Sequence, residues 1–391
     1  MHLFALALLL FSSNTFASFP DLHVHLFMEH GVGAIFRGEF TKPLKAKNWK
    51  AMMASKINEE TLKASTAPLV VAALYAHPVL VAKKGPLPSD WVKNSIRAQV
   101  AAAREFVARN PNWILATNAT QAQIALQNNK RILLLSLEGA HGIFGDDKDF
   151  IEFIDELGIS IVTPLHLINT KYGGAAYMKG LRKTIFTTRI FARQKVEEVK
   201  VNSQGLTKKG EELIKKLIAK KVWIDLSHAS DRTTWAIIPM LIQNNMPLLY
   251  THTSLRRYLK AERGLSEWAM MEIKRHGGYV GLVPSEEMLV NTPMQQQCAG
   301  PLQALGRHYD DLTREIGVES VAIGSDFNGG IPHLGPHDCG DHGDLLGKNG
   351  LKSAAQWQLL WNGMIKSGAQ LSLDPLAPTR EFLRQWSLVR P

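Results

Sequence analysis

The sequence predicts a (β/α)8 TIM barrel, an α/β fold with long loops over the C-terminal face of its strands. Three observations predict it. Eight short apolar runs, rich in Val, Ile, Leu and Tyr, read as buried parallel strands. Amphipathic helical stretches separate most of them. Polar residues recur at or just past the C-terminal ends of many of these runs, where barrels carry their active sites. A doubly wound sheet would gather them at one switch point instead.

The predicted strands span 21–27, 68–76, 131–137, 159–165, 222–227, 247–251, 279–284 and 320–325. The predicted helices span 91–110, 150–157, 208–220, 232–244, 267–276 and 302–316, with a closing helix and a helical tail after Gly350. Three long segments, 172–207, 285–300 and 328–348, follow strands and are candidate lids and pocket walls. No internal repeat or low-complexity segment interrupts this plan.

The chain has 391 residues, 45% of them hydrophobic, enough for one large core, so 18–391 is expected to form a single barrel domain. Residues 2–11 are almost all apolar and are followed by a polar stretch and Phe16-Ala17-Ser18, which reads as a signal peptide cut after Ala17. The start carries no Lys or Arg, so a buried N-terminal strand or a lipid-facing anchor is the competing reading. No other segment approaches the ~18–20 apolar residues that span a bilayer. The expectation is an exported protein, periplasmic or secreted, with no transmembrane anchor after processing. Cys298 and Cys339 would then form one disulfide or remain two thiols. The net charge of +10 favours carboxylate-bearing substrates. Its lysines and arginines are dispersed, and without an arginine-rich arm or motif no nucleic-acid partner is expected.

The candidate site begins with His23 and His25. Residues two apart on a strand share a face, so both imidazoles point into the barrel mouth as a metal clamp. Asp21, one layer deeper, is expected to orient a histidine. Glu138 ends the run Leu-Leu-Leu-Ser-Leu, where a carboxylate is costly unless paired or metal-bound. Its two oxygens can bridge two cations. His228 and His252 end consecutive strands and suit a second metal, whereas Asp225 is expected to face the other way. Asp326 follows the eighth strand and could pass a proton from water to a leaving amine, act as a further ligand, or cap a helix.

Taken together, Asp-Leu-His-Val-His-Leu at 21–26, Leu-Glu-Gly-Ala-His-Gly at 137–142 and Thr-Pro-Leu-His-Leu-Ile-Asn-Thr at 163–170 carry a resemblance. So do Gly-Leu-Thr at 205–207 with Gly210, Ile-Asp-Leu-Ser-His-Ala-Ser at 224–230, Tyr-Thr-His-Thr-Ser at 250–254, Arg263, and Ile-Gly-Ser-Asp-Phe-Asn-Gly at 323–329. The chain resembles the membrane (renal) dipeptidases of the amidohydrolase superfamily over nearly all of its mature length. The resemblance implies two Zn²⁺ ions: His23 on the first, Glu138 bridging, His228 and His252 on the second. It implies that His166 and Asn169 contact the substrate, that Asp326 is the acid/base, and that Arg263 pairs with a terminal carboxylate, for which Arg256 and Arg257 are rivals. It also implies a homodimer. One position departs: the family has Asp where this chain has His25. A neutral ligand there raises the formal charge of a dinuclear site from about +1 to about +2. The bridging water would then ionise more readily but attack less strongly, while His25 could still bind zinc.

The expected function is cleavage of a dipeptide or similar small amide by a hydroxide bridging two metals, with His166 and zinc stabilising the oxyanion. Two alternatives stand beside it. The same metals could act on a non-peptide amide, an N-acyl amino acid or a lactone, or the barrel could be a decayed, non-catalytic binding protein.

Overall fold

Strands buried on both faces need unbroken apolar runs, and the chain places such runs at the centre of the molecule. The computed structural model describes residues 19–31, 56–76, 89–177, 192–289, 300–335 and 350–391. The expected signal peptide, Cys298, Cys339 and most of the segments after 177, 289 and 335 lie outside the described residues.

The strands are β1 (Asp21–Val24), β2 (Leu69–Tyr75), β3 (Trp113–Leu115), β4 (Arg131–Glu138), β5 (Ile161–Thr163), β6 (Ala192–Val196), β7 (Val199–Asn202), β8 (Trp223–Ile224), β9 (Leu248–Thr253), β10 (Gly278–Leu282) and β11 (Val321–Ile323). Eight of them pair in parallel in the order β8-β5-β4-β2-β1-β11-β10-β9. A parallel bridge between Asp225 and Leu249 joins β8 back to β9 and closes the barrel. Side chains reinforce that seam: Thr251 N–H donates to Asp225 Oδ1 at 2.9 Å and His252 N–H to Ser227 Oγ at 3.2 Å.

All eight predicted strands are present. Most are shorter than expected, while those ending at Glu138 and Thr253 run further, to or past the candidate ligand they carry. Two features were not expected. β3 pairs outside β4, and its three residues are too few to show a period. The segment 172–207, read as loop, contains the antiparallel hairpin β6–β7, which turns at Glu197 and Glu198 with φ of 49° and 63°. Those two residues carry none of the Asn-Gly character that marks such turns in a sequence.

The predicted helices at 267–276 and 208–220 are found at Glu267–His276 and Lys208–Ala219, started by Ser266 and Thr207 as N-caps. The closing region forms helices Trp357–Lys366 and Ala377–Val389. In the latter, Phe382 packs on Trp223 and Tyr279, and Gln385 donates to Gly278 O at 3.0 Å. These partners all lie at strand starts, so this helix covers the end of the barrel opposite the candidate site.

The strands that carry His23 and His252 share an irregularity. Between Asp21 and Val24, β1 uses three steps where β2 uses two, from Val70 to Ala72. Between Tyr250 and Thr253, β9 uses three steps where β10 uses two, from Val280 to Leu282. Each is a one-residue bulge, which breaks the alternation of faces. In β9 the bulge is accommodated by glycine: a Cβ at Gly281 or Gly324 would lie 2.1 or 2.0 Å from Thr251 O.

Candidate metal centre

Glu138, at the end of β4 and 2% exposed, lies at the centre of a ring of imidazoles. Its Oε1 is 3.3 Å from His23 Nε2 and 3.3 Å from His228 Nε2. The same oxygen is 3.5 Å from His252 Nε2 and 3.6 Å from His166 Nε2. Oε2 faces His25 Nε2 at 3.5 Å, and that nitrogen also lies 3.2 Å from Asp326 Oδ1. The structure therefore unites His23, His25, Glu138, His166, His228, His252 and Asp326, drawn from six strand ends. Among the described residues the donors fall into three groups, His23–His25–Asp326 and His23–Asp225–His252, which share His23, and Glu138–His166–His228, each tight enough for one cation.

Backbone strain helps aim these side chains. His228 and Asp326 have φ of 66° and 54°, in the left-handed region that non-glycine residues avoid, each just past a strand end. The turn holding Asp326 is fastened to β1, because Asp326 N–H donates to His23 O at 2.8 Å. A Cβ at residue 329 would lie 1.7 Å from Asp326 Oδ1, so glycine at that position makes room for the carboxylate.

The electrostatics suit a cation. Burial pushes Glu138 up, but His166, His23 and His228 outweigh it and hold the carboxyl well below its usual range. Burial likewise raises Asp326, and His25 reverses it, leaving Asp326 lowered. Burial keeps His166 and His252 well below the imidazole range and lowers His228 to about 4. Burial pulls His23 down too, but Glu138 more than offsets it and its pKa is raised. His166, His228 and His252 are thus held neutral beside ionised carboxylates, as a divalent metal needs, while a cation bound at the centre would have to displace the proton that Glu138 favours on His23.

Metal ions fit these residues on direct observations. His23 Nε2 and Glu138 Oε2, both turned into the centre, are buried without a hydrogen-bond partner among the described residues. His228 Nε2 and His252 Nε2 are 2.8 Å apart. One proton between them satisfies that contact, but then neither nitrogen is matched to the nearby Glu138. Buried polar atoms left this way are costly unless a cation satisfies them.

Two expectations are corrected. Asp21 does not orient a histidine ring: its Oδ1 accepts from His23 N at 3.3 Å and Ser325 N at 2.9 Å, fastening β1 to β11. Asp21 is thereby engaged with backbone N–H groups on both strands. Burial pushes its carboxyl up to about 7. Asp225 does not face away: its Oδ2 accepts from Thr163 Oγ1 at 2.6 Å and Thr251 Oγ1 at 2.7 Å, inside the barrel. β8 is only two residues long, so counting alternation along it fails at Asp225.

Arg263, 6% exposed, donates from Nη2 to His252 O at 2.8 Å and lies 3.2 Å from His228 Nε2. It lines a small pocket together with His228, Tyr250 and Trp235. Burial draws its pKa down, against Asp225 and Asp326. Its rivals are engaged elsewhere: Arg256 is forked onto Asp231, and Arg257 pairs with Glu267 and Asp311. Asn169 Oδ1 accepts from Ala175 N and Asn202 Nδ2, tying the loop after β5 to the hairpin. Sequence reasoning missed Thr251 and Tyr75. The Tyr75 ring stands edge-on to His25 and His166, with centroids at 5.5 and 4.9 Å. It ends a strand, as the ligands do, and that position was the available signal.

A parallel barrel with this centre at its C-terminal rim defines a metal-dependent hydrolase. A model of the membrane dipeptidases (peptidase family M19) matches residues 19–348, and the chain belongs to that family. An uncharacterized protein in the pqqA 5' region of Klebsiella pneumoniae is 24% identical over 277 residues, covering 68% of this chain and 93% of the other. Dipeptidase 3 of Mus musculus is 23% identical over 234 residues, covering 59% of this chain and 41% of the other, so the match spans about two-fifths of that relative. Among solved structures, a metallo peptidase from Rhodobacter sphaeroides liganded with a phosphinate mimic of the dipeptide L-Ala-D-Ala aligns with a TM-score of 0.69 at 17% identity, over 95% of this chain and 99% of the other. The probable dipeptidase PvdM from Pseudomonas aeruginosa aligns at 0.65 and 16%, over 86% and 89%. These two likenesses speak to the fold.

Proposed function

We propose that this protein is a dinuclear zinc dipeptidase, acting on dipeptides or similarly small amides. The observation that carries the proposal is Glu138, whose two oxygens each face imidazole nitrogens. His23, His25 and Glu138 would hold one metal; Glu138, His228 and His252 would hold the other. The bound metals would supply an activated water and polarise the scissile carbonyl. Asp326 would take a proton from that water and return it to the leaving amine, so that one water and one amide become an acid and an amine. His166 would donate a hydrogen bond to the carbonyl oxygen as charge develops there. Arg263, whose Nε and Nη1 make no hydrogen bond among the described residues, would receive the substrate's terminal carboxylate. The apolar stretch at 2–11 supports export to the periplasm or beyond the cell. Among the described residues no helix is long and apolar enough to cross a membrane.

The test is metal analysis of the purified protein, with dipeptide hydrolysis assayed before and after chelation. About two zinc ions per chain and cleavage lost on chelation are expected. A protein that holds metal yet cleaves no dipeptide would overturn the substrate class. One that holds no metal would overturn the centre.

A further inference from the structure

Thr251 Oγ1 touches three polar atoms at once. It lies 2.7 Å from Asp225 Oδ2, 2.9 Å from His252 Nδ1 and 3.2 Å from His23 Nδ1. A hydroxyl has one proton to give and two lone pairs to receive with. The other contacts of Asp225 decide where that proton goes. Its Oδ1 accepts from Ser227 N at 3.0 Å and Thr251 N at 2.9 Å, and its Oδ2 also accepts from Thr163 Oγ1 at 2.6 Å. As a carboxylate it only accepts, so Thr251 must donate to it. Both lone pairs of Thr251 are then left for the two imidazoles, and each must offer an N–H.

We propose that Thr251 is a positioning residue that places the ring proton of both His23 and His252 on Nδ1, leaving both Nε2 lone pairs aimed into the metal centre. One hydroxyl thereby sets two ligands from two strands. The bulge in β9 makes this possible. Neighbouring residues on a regular strand face opposite ways, but the extra residue lets Thr251 and His252 both turn inward. With the opposite tautomer, a ring lone pair would face a hydroxyl lone pair at 2.9 or 3.2 Å. The inference rests on reading the centre as metal-binding and is independent of the substrate.

The decisive experiment is nitrogen NMR of the chelated, ¹⁵N-histidine-labelled full chain, at a pH where both rings are neutral. It is paired with zinc affinity by chelator competition. The wild type is expected to show Nδ1–H tautomers at His23 and His252, assigned with single His→Gln variants. Thr251→Val, similar in shape, should lose that uniformity and bind zinc roughly 10–100-fold more weakly. Thr251→Ser, which keeps the hydroxyl, should restore both properties to within a few-fold. An Nε2–H tautomer at either ring in the wild type would overturn the proposal, and that measurement needs no Thr251 variant to fold. So would a folded Thr251→Val protein with undiminished zinc affinity. A protein that behaves as expected here but cleaves no dipeptide would sink the proposed function and leave the role of Thr251 intact.

Discussion

Arg256 and Glu138 are both buried, both charged and both on the same rim of the barrel, yet their surroundings differ in kind. Arg256 is saturated by the chain itself: two nitrogens fork onto Asp231, Nη2 also donates to Glu262 O at 3.0 Å, and Nε donates to Gly264 O at 3.2 Å. Next to it, Glu262 accepts from Asp231 N at 2.9 Å and Asn202 N at 2.8 Å, and also from Tyr177 N. Glu138 is ringed by imidazoles at 3.3–3.6 Å, and its Oε2 completes no hydrogen bond. A buried charge survives only when it is answered. The first cluster is answered from within and is architecture. The second is answered from outside and is a binding site.

The largest expected effect breaks the second cluster. Glu138→Gln keeps the shape but removes the anionic bridge. Zinc content should collapse and kcat/KM should fall by about a thousandfold or more, several kcal/mol of lost charge stabilisation. Chemical denaturation of the chelated variant should show a fold no weaker than that of the chelated wild type. Loss of folding in place of loss of metal would erase the contrast. Next comes the first cluster. Asp231→Ala strands Arg256 in the interior and should cost about 3–5 kcal/mol of stability, read from the urea midpoint, with zinc per folded molecule unchanged. Zinc loss at constant stability would make Asp231 part of the centre.

The smallest effect is a pH slope. Burial pushes Glu262 up to about 7, despite the backbone N–H groups that favour its ionised form. A carboxyl raised in the folded state stabilises fully below its unfolded pKa, near 4.5, and that contribution is lost as pH rises through about 7. Denaturation between pH 4.5 and 8 should therefore show stability declining by roughly 1–3 kcal/mol from this group. Glu262→Gln should be less stable at the low end and flatter across the range. An unchanged slope in the variant would assign the pH dependence elsewhere.

Much of this centre was legible in the sequence, because a parallel strand announces itself as an apolar run and the residue that ends it stands out. Glu138 after Leu-Leu-Leu-Ser-Leu, and the histidines after Ile-Asp-Leu-Ser and Leu-Tyr-Thr, were found in this way. What failed was anything that depended on alternation. The bulge in β1 interrupts the count from Asp21 to Val24, and the two-residue β8 cannot carry a count as far as Asp225. A bulge is a pairing between strands distant in sequence, so no local pattern reveals it. Thr251, one residue from a recognised ligand, stayed invisible for the same reason.

The bulge in β9 also has a genetic meaning. Removing a single codon at 251 or 252 would leave β9 and β10 free to pair in even register, with Gly281 and Gly324 no longer needed as glycine. The barrel would lose an irregularity, and with it either the ligand or the hydroxyl that aims it.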